Sequence, residues 1–143
     1  MQNASLEAVT FTIPGAIGGK GRGRATVRGG HAVVYTPEKT RSQEAMVRHF
    51  ASEQMRGREL LQGPLRLRVE LWKLIPKSWS KAKREAAIYV TGKPDIDNQA
   101  KLIADAMNTV VYADDSQIAE VFFVRRYGAN ARVEVAVEPL VAA

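Results

Sequence analysis

The segment Lys93-Pro94-Asp95-Ile96-Asp97-Asn98-Gln99-Ala100-Lys101 obliges the chain to change from extended to helical within a few residues. Pro94 disfavours the helical region at Lys93 and lets the chain arrive extended. Two carboxylates two residues apart lie on the same side only of an extended chain, because a helix turns them roughly 200° apart. Asp95-Ile96-Asp97 therefore reads as the end of an extended segment that delivers two oxygen ligands side by side, with a helix starting at Asp97 or Asn98. Such a pair suits a hard divalent cation. Beyond it, Ile96, Ala100, Ile103, Met107 and Val110 recur at helical spacing and predict one apolar stripe. Asp97, Lys101 and Asp105, each four apart, fall on another face. Lys101 is thereby placed beside the carboxylates, where an ammonium serves a phosphate or a developing oxyanion.

The remaining patterns give an α+β reading. Val9 to Ile13 reads as a strand ended by Pro14-Gly15, and Ala32 to Tyr35 as a second, with the segment between them linking two neighbouring strands. Thr36-Pro37-Glu38 has the cap and first-turn proline of a helix running to about Arg56. Leu65, Leu67, Val69 and Leu71 alternate with Arg66, Arg68 and Glu70, the period of a half-buried strand that Pro76 closes. Ser78 or Ser80 caps a short helix through Ala87, and Ile88-Tyr89-Val90 leads to the acidic motif. After it, Val110 to Tyr112 runs into Asp114-Asp115, apolar residues resume from Ile118 to Val124, and Arg132 to Glu138 alternates as a last strand. With no internal repeat and no interior linker, residues 1–143 read as one domain, a small mixed sheet packed against two or three helices.

The chain has 143 residues, 21 Lys and Arg against 15 Asp and Glu, and a net charge of +6, so its surface suits a polyanion. Its 45% hydrophobic content is enough for a core. Cysteine is absent, which excludes disulfides and thiolate ligands and favours Mg²⁺, or Mn²⁺ in its place, on oxygen ligands. No apolar run reaches membrane-span length, and the first residues lack a basic stretch followed by a hydrophobic one, so the expectation is a cytoplasmic protein with no membrane partner. A basic, Gly-rich arm covers about residues 15–31, with Lys20, Arg22, Arg24 and Arg28 among its glycines. Glycines allow close approach to phosphate and the cations supply charge, although a solvated hairpin loop has the same composition. Gly19-Lys20 is followed by Gly21 where a Walker loop has Ser or Thr, and no third glycine completes a dinucleotide fingerprint, so no small organic cofactor is expected.

Lys93-Pro-Asp95-Ile-Asp97-Asn98-Gln-Ala-Lys101, then Asp105-Ala106, then Asp114-Asp115-Ser-Gln-Ile118, resembles the central motif of the RusA-type Holliday junction resolvases, a family found in bacterial prophages and phages. The resemblance covers about residues 93–118. Weaker similarity extends to Lys20-Gly-Arg22-Gly-Arg24, where many members have proline in place of Gly23, and to Tyr35-Thr-Pro37 with Lys39-Thr-Arg41. It implies a small homodimeric, magnesium-dependent endonuclease that cuts four-way DNA junctions in recombination and repair. By position, the essential aspartates of that family fall on Asp95, Asp97 and Asp115, which would hold the metal, and its essential lysine on Lys101. Asn98 is a candidate for orienting a carboxylate, Asp105 and Asp114 are further candidates, and Lys20, Arg22, Arg24, Arg28, Lys39 and Arg41 are candidate DNA contacts. One site per subunit of a two-fold dimer matches a junction with two strands to cut.

Each residue taken singly also has a structural use. Asp97 can cap a helix, Asp114-Asp115 can form a turn, and Lys101 can pair with Asp105 on a solvated face. Two other function classes follow from those uses. One is a catalytically silent DNA-binding protein; the other is a different metal-dependent phosphoryl-transfer enzyme, such as a phosphatase with an aspartate nucleophile. The second lacks its apolar strand leading directly into the nucleophile. His31 and His49 have no ligand spacing to a partner, and Trp72 and Trp79 read as packing residues.

Overall fold

The computed structural model describes residues 8–20, 24–35 and 38–141, with the backbone path alone for 24–28 and 31–35. The fold is α+β. Six strands and three α-helices follow in the order β1 (Val9–Pro14), β2 (Arg24–Arg28), β3 (His31–Tyr35), α1 (Glu38–Met55), β4 (Leu65–Lys73), α2 (Lys81–Glu85), α3 (Ile96–Ala106), a 3₁₀ turn (Asp115–Gln117), β5 (Ile118–Tyr127) and β6 (Arg132–Pro139). Strands β1, β6, β4 and β5 form one mixed sheet in that order, with β4 and β5 parallel and the other pairs antiparallel.

The alternation in β4 predicts which face is buried, and register carries it across the sheet. Val9 lies beside Val137 and Val137 beside Leu67; Phe11, Val135 and Val69 make the next row, and Ile13, Val133 and Leu71 the third. All nine are buried. Val47, Ala51 and Met55 of α1 and Leu102, Ile103 and Ala106 of α3 cover that face. Each fully buried Leu or Ile contributes roughly 1.5–3 kcal/mol, so α3 is held mainly by this layer.

The sequence expectations for α3 shift by one or two residues. The helix begins at Ile96, with Asp95 at the N-cap in extended conformation, so Asp97 sits inside the first turn instead of ending the extended segment. The buried stripe is Gln99, Leu102, Ile103 and Ala106, continued by Met107, while Ile96 is 39% exposed. Ile103 and Met107 are buried as the apolar pattern expects, and the buried face is rotated from Ile96 toward Gln99, Leu102 and Ala106, beginning on a carboxamide. Ser80 caps α2 by accepting from the Lys83 amide at 3.2 Å.

The basic arm departs further from expectation. β1 and β3 are not neighbours; β1 pairs with β6, and β3 pairs with β2 in a separate two-stranded sheet. Part of the Arg/Gly-rich segment is therefore a strand, closed by Gly29 and Gly30 at φ +57° and +81°, the left-handed pair that a tight hairpin turn requires. Arg22, Gly23 and the predicted Thr36-Pro37 cap lie outside the described residues. Among the described residues, no helix is long and apolar enough to cross a membrane.

Topology also fixes where α3 must run. β4 and β5 are parallel, with Leu65 beside Ile118 and Lys73 beside Tyr127. The chain leaving Lys73 must return the length of a nine-residue strand, about 30 Å, before β5 begins. α3 covers about 16 Å of that return. Its N-terminus lies at the Lys73 end, where the Arg125 guanidinium donates to the Pro94 carbonyl at 2.7 Å, and Asp115 falls at the Leu65 end.

Gln99 joins three elements. It is 3% exposed, its Nε2 donates to the Ile17 carbonyl at 2.7 Å, and its Oε1 accepts from Arg125 at 3.1 Å. Gln99→Leu keeps the size, takes the side-chain donor from the Ile17 carbonyl and leaves Arg125 only its bond to the Pro94 carbonyl, which is expected to cost about 1–3 kcal/mol. Urea unfolding of the two proteins at equal ionic strength measures this as a lowered midpoint with an unchanged slope.

Candidate active site

The acidic residues occupy one long face of α3 and the turn that follows it. Asp97, Lys101 and Asp105 stand at successive turns of the helix. Asp95 lies just before it, 3.2 Å from the Lys93 ammonium. Eight residues separate Asp97 from Asp105, a rise of about 12 Å. The carboxylates therefore form two groups, Asp95 with Asp97 at the start of the helix and Asp105 with Asp115 at its end, and Lys101 stands between them. Among the described residues no group of three or more His, Asp or Glu side chains converges as a ready metal cage.

Asp115 is aimed by its neighbours. The Asp114 carboxylate accepts from the Ser116 amide at 3.0 Å, and the Gln117 carboxamide oxygen accepts from the amides of Ala113 and Asp114. Gln117 Nε2 in turn donates to the carbonyls of Leu61 and Gly63, both at 3.1 Å. This capping box ties the 3₁₀ turn to the chain entering β4. The Ser116 hydrogen bonds hold Asp114 below the usual carboxylate range, and its side chain is engaged in the cap. Arg48 of α1 donates to the carbonyls of Ala106 and Asn108, each at 3.1 Å, closing the C-terminus of α3 next to the site.

Asp105 and Asp115 lie close enough for each carboxyl group to shift the titration of the other. The bond to Asp105, partial burial and the negative charges of Asp105 and Asp114 push Asp115 upward. For Asp105, burial pushes up, but the hydrogen bonds from Asp115 and Lys20 and the charges of Lys20 and Lys101 outweigh it and hold the group down. Tyr112 is fully buried and donates to the Ala104 carbonyl at 2.6 Å; burial and the surrounding aspartates raise its phenol far enough to keep it neutral.

Lys20 is the unexpected member. Its ammonium lies 2.5 Å from Asp105 Oδ2 and 3.5 Å from Glu44 Oε2. Lys101 Nζ is 3.9 Å from the same Asp105 oxygen and is 63% exposed, so it remains open to solvent above the acids. Asn98 contributes through its backbone, accepting from the Lys20 amide at 3.2 Å. Arg41 pairs with Glu38 at 2.5 Å on the exposed surface of α1. Lys39, Lys73 and Lys93 border a cavity of about 290 Å³ beside Pro94, giving the acidic motif a basic margin. Arg24 and Arg28 lie on β2, where the backbone alone is described.

Sequence reading missed Glu44, Gln99 and Arg125. Arg125 carried a legible signal: in β5 it stands two residues after Phe123, which packs on the core, and lies beside the buried Leu71, so a charge stands on the core side, where it needs partners. Glu44 had none, being one of many charges on a mostly exposed helix. His49 packs edge-on against Phe50, Trp72 lies under Arg132 and Trp79 meets Tyr127, all packing contacts. The His31 side chain lies outside the described residues.

The chain belongs to the endodeoxyribonuclease RusA family, whose signature matches residues 14–138. It is also similar to the uncharacterized protein YqaN of Bacillus subtilis strain 168, with 34% identity over 136 residues, 91% of this chain and 95% of that protein.

The upward push of Asp105 on Asp115 gives a direct test of the acid pair. In Asp105→Asn the neighbouring charge is gone, so the Asp115 carboxyl is expected to titrate lower than in the parent. Carboxyl ¹³C chemical shifts followed through acid pH measure it, and an unchanged Asp115 curve would show that the two groups do not meet.

Proposed function

We propose that this protein is a Mg²⁺-dependent endodeoxyribonuclease that resolves four-way DNA junctions by phosphodiester hydrolysis, with Mn²⁺ able to substitute. The single observation that carries this reading is the acid–lysine–acid face of α3 in a chain of net charge +6 that belongs to a DNA endonuclease family. The donor chemistry fits a hard divalent ion: the candidate ligands are all carboxylate oxygens, and the Asp105 charge beside Asp115 pushes that group upward, a repulsion that a cation would relieve. Asp95, Asp97 and Asp115 would hold the ion or ions, with Asp105 beside Asp115. A bound divalent ion activates water and offsets charge on the leaving oxygen.

The chain's own residues do the rest. Lys101 projects between the two acid groups and meets the scissile phosphate, where negative charge grows as the water attacks. Lys39, Lys73 and Lys93, with the arginines of the β2–β3 hairpin, attract the flanking phosphates without reading bases. Two such centres related by a two-fold axis would cut opposed strands of a junction, so the active form is a homodimer in the cytoplasm of a bacterial or phage-infected cell.

Asp95→Asn, Asp97→Asn and Asp115→Asn are each expected to lower cleavage of a labelled four-way junction by orders of magnitude while junction binding survives. Lys101→Ala should reduce single-turnover cleavage by roughly a hundredfold at saturating Mg²⁺, with Lys101→Arg recovering only part of it, because a planar fork does not replace a compact ammonium. Restoration of the Ala variant by excess Mg²⁺ would place Lys101 on the ion instead of the phosphate. Junction binding without cutting in either metal would leave a DNA-binding protein.

A further inference from the structure

The sequence places Lys20 in the basic arm, whereas the fold turns its side chain inward. Three contacts fix the backbone that delivers it. Gln99 donates to the Ile17 carbonyl, the Gln43 carboxamide accepts from the Gly18 amide, and the Asn98 carbonyl accepts from the Lys20 amide. Gly19 passes so close to α3 that an added Cβ would lie 3.0 Å from the Cβ atoms of both Pro94 and Asn98, a separation tighter than ordinary side chains keep. Ile17 is buried. Residues 17–20 therefore form a strap laid across the start of α3, and the Lys20 side chain reaches from it to Asp105.

We infer that Lys20 is a positioning residue of the acidic centre, clamping the Asp105 carboxylate beside Asp115 for the ion instead of gripping a DNA phosphate. This rests on the reading that the centre binds a divalent cation. The geometry divides the two lysines that reach Asp105. Lys20 makes the short contact at 2.5 Å, with side-chain exposures of 28% and 17% for the pair, and Glu44 at 3.5 Å completes a three-membered network from three separate elements. Lys101 is longer at 3.9 Å and faces solvent. An ammonium held by two carboxylates in a partly enclosed place loses that pairing if it turns out to a phosphate. Removing it releases Asp105 to turn toward water and takes away the preorganisation of the Asp105–Asp115 pair.

The test uses the full-length protein and three measurements: Mn²⁺ binding by calorimetry without DNA, junction affinity as a function of salt, and single-turnover cleavage. Lys20→Ala is expected to weaken Mn²⁺ binding about tenfold, and to add nothing in an Asp105→Asn background, where no carboxylate remains to be held. Lys20→Arg, which keeps the charge and can pair both acids, should stay near the parent. Cleavage of Lys20→Ala should fall about tenfold or more while the slope of log affinity against log salt is unchanged. A slope reduced by about one, with Mn²⁺ affinity intact, would make Lys20 a phosphate contact and overturn the inference. Tighter Mn²⁺ binding in Lys20→Ala would overturn it too, marking the lysine as a mere competitor for the oxygen. Should the alanine variant fail to fold, Lys20→Gln carries the same comparisons. A parent that binds Mn²⁺ but cuts no junction defeats the nuclease reading alone, and the Mn²⁺ series still decides the role of Lys20; a parent that binds no Mn²⁺ defeats both.

Discussion

The hydrogen bonds of one buried carboxamide fix the rotation of the acidic helix on the apolar layer that holds it. Gln99 sits in the first turns of α3 and is bonded on one side to the backbone of the strap and on the other to the guanidinium of Arg125. Arg125 also holds the Pro94 carbonyl, so the entry to the acidic motif is bound to the sheet by charge-assisted contacts while the body of the helix is bound by Leu102 and Ile103. The polar contacts set rotation and position, which an apolar layer alone leaves loosely specified. The direction in which Asp97, Lys101 and Asp105 point follows from that.

The electrostatic character of the centre comes from an imbalance kept within a short distance. Asp105 faces two ammonium groups and one carboxyl, and Asp115 faces two carboxylates and the more distant Lys101. Identical side chains are thereby driven in opposite directions. Asp114, next in sequence to Asp115, is removed from this competition by its hydrogen bonds to the 3₁₀ turn. Adjacent aspartates thus have separate uses, one in building the turn and the other in the chemistry it presents.

Much of the fold was readable where one periodicity dominated. The alternation of β4 and β6 is undisturbed, and their buried faces fell where the pattern put them. The acidic face of α3 was readable because three charges four apart have no other common geometry. The stripe opposite was right at Ile103 and Met107 and rotated away from Gln99, because burial of Gln99 depends on Ile17 and Arg125, which are far away in sequence. The hairpin was hidden for a related reason: its composition is that of a loop, and pairing with β3 depends on a glycine turn whose consequence is local and not periodic. No spacing rule connects Lys20 to Asp105, since 85 positions separate them.

The parallel pairing of β4 with β5 has a consequence for how such a protein can vary. Everything between Lys73 and Ile118, including α2, the acidic motif and the capped turn, is a single excursion between adjacent strands. Sheet register is set by the strands themselves and is indifferent to the length of that excursion. Residues near Lys77 to Ala87 are largely exposed, and lengthening the chain there, before Ile88 and Tyr89 pair with β5, costs only the slowly growing entropy of a larger loop. From Pro94 to Asp115 the case is opposite, because both ends are bonded to the sheet and the helix between them must bridge a set gap. Insertions among descendants of this chain should therefore gather on the outward leg of the excursion, while the inward leg stays constant in length even where its residues change.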